Sequence, residues 1–185
     1  KYFDSGDFDR AIDEFRKLTS QYPNSRQAAT AQYHQGLCYE KKNDIAKAAE
    51  SYRTVVDRYP YSEYVDLSIE REFQLAEAMM DGKKVKLWSI ESLPALDIAT
   101  DLYKHIVKSA PYGPYGAKAQ YRLGDAYLKQ GLFDEARAAF QAVVDEYPNS
   151  PHAVEAKYQI ARVSYRSSQV QQYHAVKTDE AIQDF

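Results

Sequence analysis

The sequence of 185 residues holds a single cysteine, Cys38, so no intramolecular disulfide can form. Its place between Leu37 and Tyr39, in a segment with a helical pattern, makes it a small buried side chain and not a reactive thiol. Glycine and proline occur only seven times each, too few for a low-complexity chain. No run of 18 or more apolar residues occurs, so no segment reads as a membrane-spanning helix, and no signal peptide is visible. Long basic runs are also missing. Lys83, Lys84 and Lys86 make the one tight cluster, which reads as a solvated loop, and the net charge of −3 gives no footprint for a nucleic-acid partner.

The chemistry of catalytic sites is equally sparse. The four histidines, His34, His105, His152 and His174, are scattered, and neither His-x-x-x-His nor Cys-x-x-Cys occurs, so no metal is expected. Gly113 and Gly116 flank Pro114 and fit a turn, not a phosphate cradle. Ser89 and Ser164 have no His and acid partners suggested by the sequence. Adjacent carboxylates such as Asp13 and Glu14 read as helix-surface charge. No enzymatic activity and no cofactor is expected.

What is present is a repeat. Ala31-Gln-Tyr-His-Gln-Gly-Leu-Cys-Tyr39 matches Ala119-Gln-Tyr-Arg-Leu-Gly-Asp-Ala-Tyr127. The block from Ala48 to Pro60 likewise matches that from Ala136 to Pro148. An alanine is followed four residues later by an aromatic and eight residues after that by proline, in Ala11/Phe15/Pro23, Ala48/Tyr52/Pro60, Ala99/Tyr103/Pro111 and Ala136/Phe140/Pro148. Ala181/Phe185 begins a fifth such set. Successive prolines stand 37, 51 and 37 residues apart, which places an insertion near 81–92, as a loop or a short hairpin through Val85–Trp88.

Hydrophobic residues at 44% and charged residues at 28% suit a folded chain, and the pattern says how it folds. A small alanine lets two helices approach, and the aromatic four residues on shares its helical face. Proline then stops the helix, with Ser25, Ser62 and Ser150 as expected N-caps. Gly36, Gly124 and Ala161 follow Pro23, Pro111 and Pro148 by 13 residues. Mid-helix glycine costs about 1 kcal/mol against alanine, a cost that makes sense where a neighbouring helix packs on the backbone. The expected helices span 7–21, 26–42, 44–58, 63–81, 94–109, 114–130, 133–146, 151–168 and 178–185. Lys1-Tyr2-Phe3 reads as the tail of a helix and Phe185 falls inside another, the pattern of a piece of a longer protein.

The order small-x-x-Tyr, Gly, Ala-x-x-x-aromatic, Pro is complete in Gly124/Tyr127/Gly131/Ala136/Phe140/Pro148 and nearly so in Gly36/Tyr39/Ala48/Tyr52/Pro60. It resembles the tetratricopeptide signature. The resemblance implies an all-α fold of antiparallel helix pairs stacked in a right-handed superhelix, an α-solenoid, with a concave groove. It would form one domain over 1–185: a partial repeat at 1–25, repeats at 26–62, 63–112 with the insertion 81–92, and 113–150, and a partial repeat at 151–185 with an extended linker at 169–177. The repeat around Phe73 departs, with phenylalanine at the small position, and looser or shifted packing is expected there.

The lead-in Pro111-Tyr-Gly-Pro-Tyr-Gly116 and the lengthened linker 169–177 are similar to the BamD (YfiO) family, outer-membrane lipoproteins of the β-barrel assembly machinery. That resemblance implies a scaffold on the periplasmic face of the outer membrane, binding machinery components or unfolded outer-membrane proteins. Membrane attachment would come only through a lipid anchor outside this sequence. The Tyr-Pro-x-Ser turns are also similar to the periplasmic Tol-Pal coordinator family (CpoB/YbgF), and a cytoplasmic tetratricopeptide adaptor is the third reading. In the fold so resembled, inward positions fall at Tyr33 and Leu37, Glu70 and Gln74, Tyr121 and Asp125, and Tyr158 and Arg162, with Glu40, Glu77, Leu128 and Tyr165 one turn on. These are the candidate groove residues for an extended peptide, since tyrosine offers flat apolar area and a hydroxyl. They also suit simple packing of a narrow inner face. Paired Lys and Asn, which clamp a peptide's terminal carboxylate in some relatives, are absent from these positions. Trp88, in the insertion, is a candidate loop contact.

Overall fold

The computed structural model describes residues 2–81 and 95–183, and their side chains apart from residue 171 and those from 174 onward. The expected loop at 81–92 and its Trp88 therefore lie, but for Asp81, outside the described residues. Among the described residues the secondary structure is entirely helical: α1 (Phe8–Gln21), α2 (Arg26–Lys41), α3 (Ile45–Arg58), α4 (Val65–Met80), α5 (Ala95–Ser109), α6 (Gly116–Gln130), α7 (Phe133–Glu146) and α8 (His152–Gln183). Residues 2–6 form turns and not the tail of a helix. The chain divides into two compact units, residues 1–119 and 120–185.

The helix ends follow from local chemistry. Asp7, Ser25 and Asp44 cap α1, α2 and α3, each side chain accepting from the amide three residues on. The expected caps at Ser62 and Ser150 differ, since their hydroxyls accept from the amides of Tyr64 and His152, two residues on. Helices α1, α3 and α7 each end at the tyrosine before a proline, Tyr22, Tyr59 and Tyr147, whose φ of −132°, −127° and −127° lies outside the helical range. The proline ring disfavours the helical conformation for the preceding residue. Between α6 and α7, Gly131 has φ +78°, and Asn43 takes the same role between α2 and α3 at φ 58°. Asparagine is among the few residues other than glycine that tolerate this left-handed turn.

Packing explains the repeat. In the 1–119 unit, α1 packs on α2, α2 on α3, α3 on α4 and α4 on α5. Ala48, Tyr52, Ala99 and Tyr103 are fully buried there, and Ala136 and Phe140 are fully buried in the other unit. A Cβ placed on Gly36 would stand 2.5 Å from the Tyr52 ring, and one on Gly124 would stand 2.6 Å from the Phe140 ring. Each aromatic therefore lies directly on the glycine backbone of the helix before it. Phe73 replaces that contact with ring against ring. It is buried, edge-on to Tyr103 at 5.8 Å between centroids and stacked on Tyr115 at 5.0 Å. Cys38 is fully buried, and burial pushes its thiol up to about 11, the behaviour of an inert core side chain.

The expected linker at 169–177 is a correction. Helix α8 runs without a break from His152 to Gln183. Residues 169–177 contain neither glycine nor proline, so nothing local stops the helix. The expected helix at 151–168 and the described part of that at 178–185 are thus one element. Ala161, the third small position, is exposed on α8, unlike Gly36 and Gly124.

Candidate functional site

The sequence-predicted groove residues divide between the two units. In the 1–119 unit, Tyr33 is not an open groove side chain. It is 7% exposed, its ring centroid 5.6 Å from that of Tyr52 and 5.0 Å from that of Tyr64. Tyr64, at the start of α4, closes over it. The Tyr33 hydroxyl takes a hydrogen bond from Arg71, which together with nearby Glu40 holds that guanidinium above its ordinary range. Leu37 is half-buried. Gln74 is exposed, donates to Glu70 at 3.1 Å and accepts from Arg71 at 3.3 Å. Tyr33, Glu70 and Gln74 are therefore joined through Arg71, a residue the sequence did not single out.

Arg71 also faces Glu40 at 3.8 Å, and the Tyr52 hydroxyl donates to Glu40 at 2.5 Å. Burial, then this bond, pushes the Tyr52 phenol far above its ordinary range. The same bond recurs one repeat on, where the Tyr103 hydroxyl donates to Glu77. In the 120–185 unit the corresponding positions are Leu128 and Phe140, and both polar partners have been exchanged together for apolar ones. A lone hydroxyl or carboxylate there would be left unmatched beside the core, at a cost of about 1–3 kcal/mol. Glu40 and Glu77 thus tie each helix pair together.

In the 120–185 unit the groove residues differ in exposure. Tyr121 is half-buried, 5.3 Å from Phe140 and stacked on His152 at 5.4 Å between centroids. Its hydroxyl accepts from Gln159 at 3.3 Å, and burial raises its phenol. Asp125 pairs with Arg122 at 3.2 Å. Tyr158 is 61% exposed and Arg162 is exposed. Val154 and Tyr165 are also exposed on α8, at 78% and 64%. Helical spacing puts Val154, Tyr158, Ala161 and Tyr165 on one face, opposite the side that buries Ala156 and Val163.

Beside this face α6 and α8 enclose a cleft of about 410 Å³, lined by Arg122, Asp125, Leu128, Lys129, Gln159, Arg162 and Arg166. It joins three predicted groove residues, Asp125, Leu128 and Arg162, to four that the sequence did not single out: Arg122, Lys129, Gln159 and Arg166. The signal was available. Arg122 and Lys129 are seven residues apart and Arg162 and Arg166 four, so each pair lies on one helical face. Among the described residues no group of three or more His, Cys, Asp or Glu side chains is placed to hold a metal ion, and no helix is long and apolar enough to cross a membrane.

Known proteins are similar to this chain. Two tetratricopeptide-repeat family models match the chain, at residues 1–63 and 118–150. The outer membrane protein assembly factor BamD of Caulobacter vibrioides is 27% identical over 137 residues, 69% of this chain and 44% of that protein. The chain thus spans less than half the length of this relative. Among solved structures, a variant of nearly identical TPR-like repeats described as a kinesin light chain of Podosopora anserina is similar with a TM-score of 0.44. It shares 18% sequence identity, over 98% of this chain and 89% of that one.

Proposed function

Because this chain is a tetratricopeptide-repeat protein that resembles an outer membrane protein assembly factor, we propose that it is a protein-interaction scaffold in outer-membrane β-barrel assembly. It works on the periplasmic side of the outer membrane, held there by a lipid anchor outside this sequence, and binds partner proteins or extended segments of unfolded barrel proteins. The observation that carries this reading is the 27% identity to that assembly factor, which runs through most of the chain and not through a single repeat. The geometry supports binding by α8, whose Tyr158, Arg162 and Tyr165 stand open. Tyr33, fixed between Tyr52 and Tyr64, serves packing. Exposed tyrosines next to arginine suit polypeptide contacts, because tyrosine buries large area for few rotors lost and arginine adds a planar fork of donors.

The test is affinity capture from bacterial envelope extract with the immobilised chain and with a Tyr158→Ala/Tyr165→Ala version. Both side chains are exposed, so the fold should be unchanged by circular dichroism. Recovery of barrel-assembly components, reduced about tenfold by the substitutions, is the expected result. Equal recovery by both versions would move the contact off α8. Recovery of Tol-Pal components in their place would overturn the barrel-assembly role.

A further inference from the structure

We propose that the α6–α8 cleft of the 120–185 unit recognises an acidic segment of extended polypeptide, docked through its side-chain carboxylates and its backbone amides together. This rests on the scaffold reading above and names the chemistry of the partner.

Charge is the first argument. Four cations, Arg122, Lys129, Arg162 and Arg166, line the cleft against one carboxylate, Asp125, on a chain whose net charge is −3. The cleft is thus opposite in sign to the chain as a whole, which favours an anionic partner and steers it to this place. Arg162 and Arg166 lie one turn apart on α8. Arg166 also rests over the Phe133 ring at 5.8 Å, which orients its guanidinium. Guanidinium groups hold carboxylates through paired N–H donors.

A feature independent of charge separates a peptide from a simple carboxylate. Gln159 is 7% exposed and lines the cleft. Its Nε2 donates to the Tyr121 hydroxyl at 3.3 Å, but its Oε1 is buried and accepts no hydrogen bond. A buried acceptor without a donor costs about 1–3 kcal/mol. An ionised carboxylate has no proton to give it, whereas a backbone N–H of an extended peptide does. The cleft therefore offers cations for carboxylates and, on the Gln159 side chain that lines it, one acceptor for an amide, with exposed Tyr158 and Tyr165 on the neighbouring face of α8 to take apolar residues. Extended peptide recognition combines these same elements, main-chain hydrogen bonds with side-chain contacts.

The experiment uses the whole chain and a fluorescein-labelled, C-terminally amidated peptide in which glutamates alternate with threonine and leucine. A second peptide carries glutamine at every glutamate. Fluorescence anisotropy should show the acidic peptide binding at least about tenfold more tightly than its glutamine counterpart. Raising the salt should shrink that preference. Arg162→Glu/Arg166→Glu should abolish it, with circular dichroism unchanged since both side chains are exposed. Gln159→Leu should weaken both peptides alike, because it removes the amide acceptor and not the cations.

Equal affinity for the two peptides, unchanged by the arginine substitutions, would overturn the acidic specificity while leaving the scaffold in place. Displacement of the acidic peptide by inorganic phosphate at equal concentration would overturn peptide recognition in favour of a plain anion site. Binding of neither peptide would overturn this inference, and only failure of envelope capture as well would remove the scaffold reading.

Discussion

Replacing His105 by alanine will destabilise the 1–119 unit by about 3–5 kcal/mol at neutral pH, the usual cost of stranding one member of a buried pair. Glu72 is fully buried on α4, and its Oε2 lies 2.7 Å from His105 Nδ1 on α5. The other ring nitrogen faces Asp57 of α3 at 3.2 Å, so one imidazole ties three helices together. Asp57 is 62% exposed and adds little. Most of the loss comes from Glu72, a fully buried carboxyl left without the partner that favours its charged form.

The pair also sets a pH dependence with a definite sign. Burial holds the Glu72 carboxyl above its ordinary value of 4.5, the bond to His105 opposing. Burial would lower His105, but its hydrogen bond and attraction to Glu72, with Asp57 beyond, outweigh this and hold it above 6.5. Both groups bind protons more firmly folded than unfolded, so their contribution is full below the unfolded values and is lost as pH rises through the folded ones. Chemical denaturation, read with hydrogen exchange of α3 to α5 amides, should therefore show a more stable unit at about pH 6 than at about pH 8. His105→Ala should flatten that difference above pH 6.5. Replacing both residues with leucine should restore most of the stability, because it removes the buried charge along with its partner.

Gly116→Ala is the second large effect. A Cβ there would overlap the Pro111 carbonyl oxygen, stand 2.6 Å from the Pro111 carbonyl carbon and reach 3.0 Å from the Ala110 oxygen. These are backbone atoms of a turn closed by Gly113 N–H to Ala110 O and Gly116 N–H to Gly113 O, and they cannot swing aside as a side chain would. Overpacking costs about 1–3 kcal/mol and more where backbone must move, so a loss of about 3 kcal/mol is expected. That exceeds the roughly 1 kcal/mol that alanine gains by helix propensity. Thermal unfolding should show a fall of about 10 °C or more. Gly113→Ala is the comparison: its Cβ would meet Ala110 at 3.3 Å, and its loss should be much smaller.

The helices were legible because their ends are written in residues with few conformational choices. Tyr-Pro pairs stop α1, α3 and α7, and Gly131 and Asn43 turn the chain within a repeat. The alanine-to-aromatic spacing located all three buried rings: Tyr52 and Phe140 lie on a glycine backbone at that register, and Tyr103 meets the Phe73 ring there. The unbroken α8 was missed because a repeat pattern suggested a stop that no residue between 169 and 177 enforces. Tyr33 read as a groove side chain because its own helix places it inward. The ring that covers it, Tyr64, lies 31 residues away in sequence. Glu72 and His105 were hidden for the same reason: 33 residues separate them, and nothing in either local pattern marks the other. The cleft cations lay at helical spacings, but only the packing of α6 beside α8 sets the two pairs against one another.

The proposed scaffold holds polypeptide on the open face of α8. Its most direct test is a photo-crosslinking residue placed at Tyr158, with Tyr112 as the control, a tyrosine 91% exposed in the turn before α6. Irradiation in bacterial envelopes should give discrete polypeptide adducts at position 158 and none above background at position 112. Adducts at neither position, or equally at both, would contradict the claim.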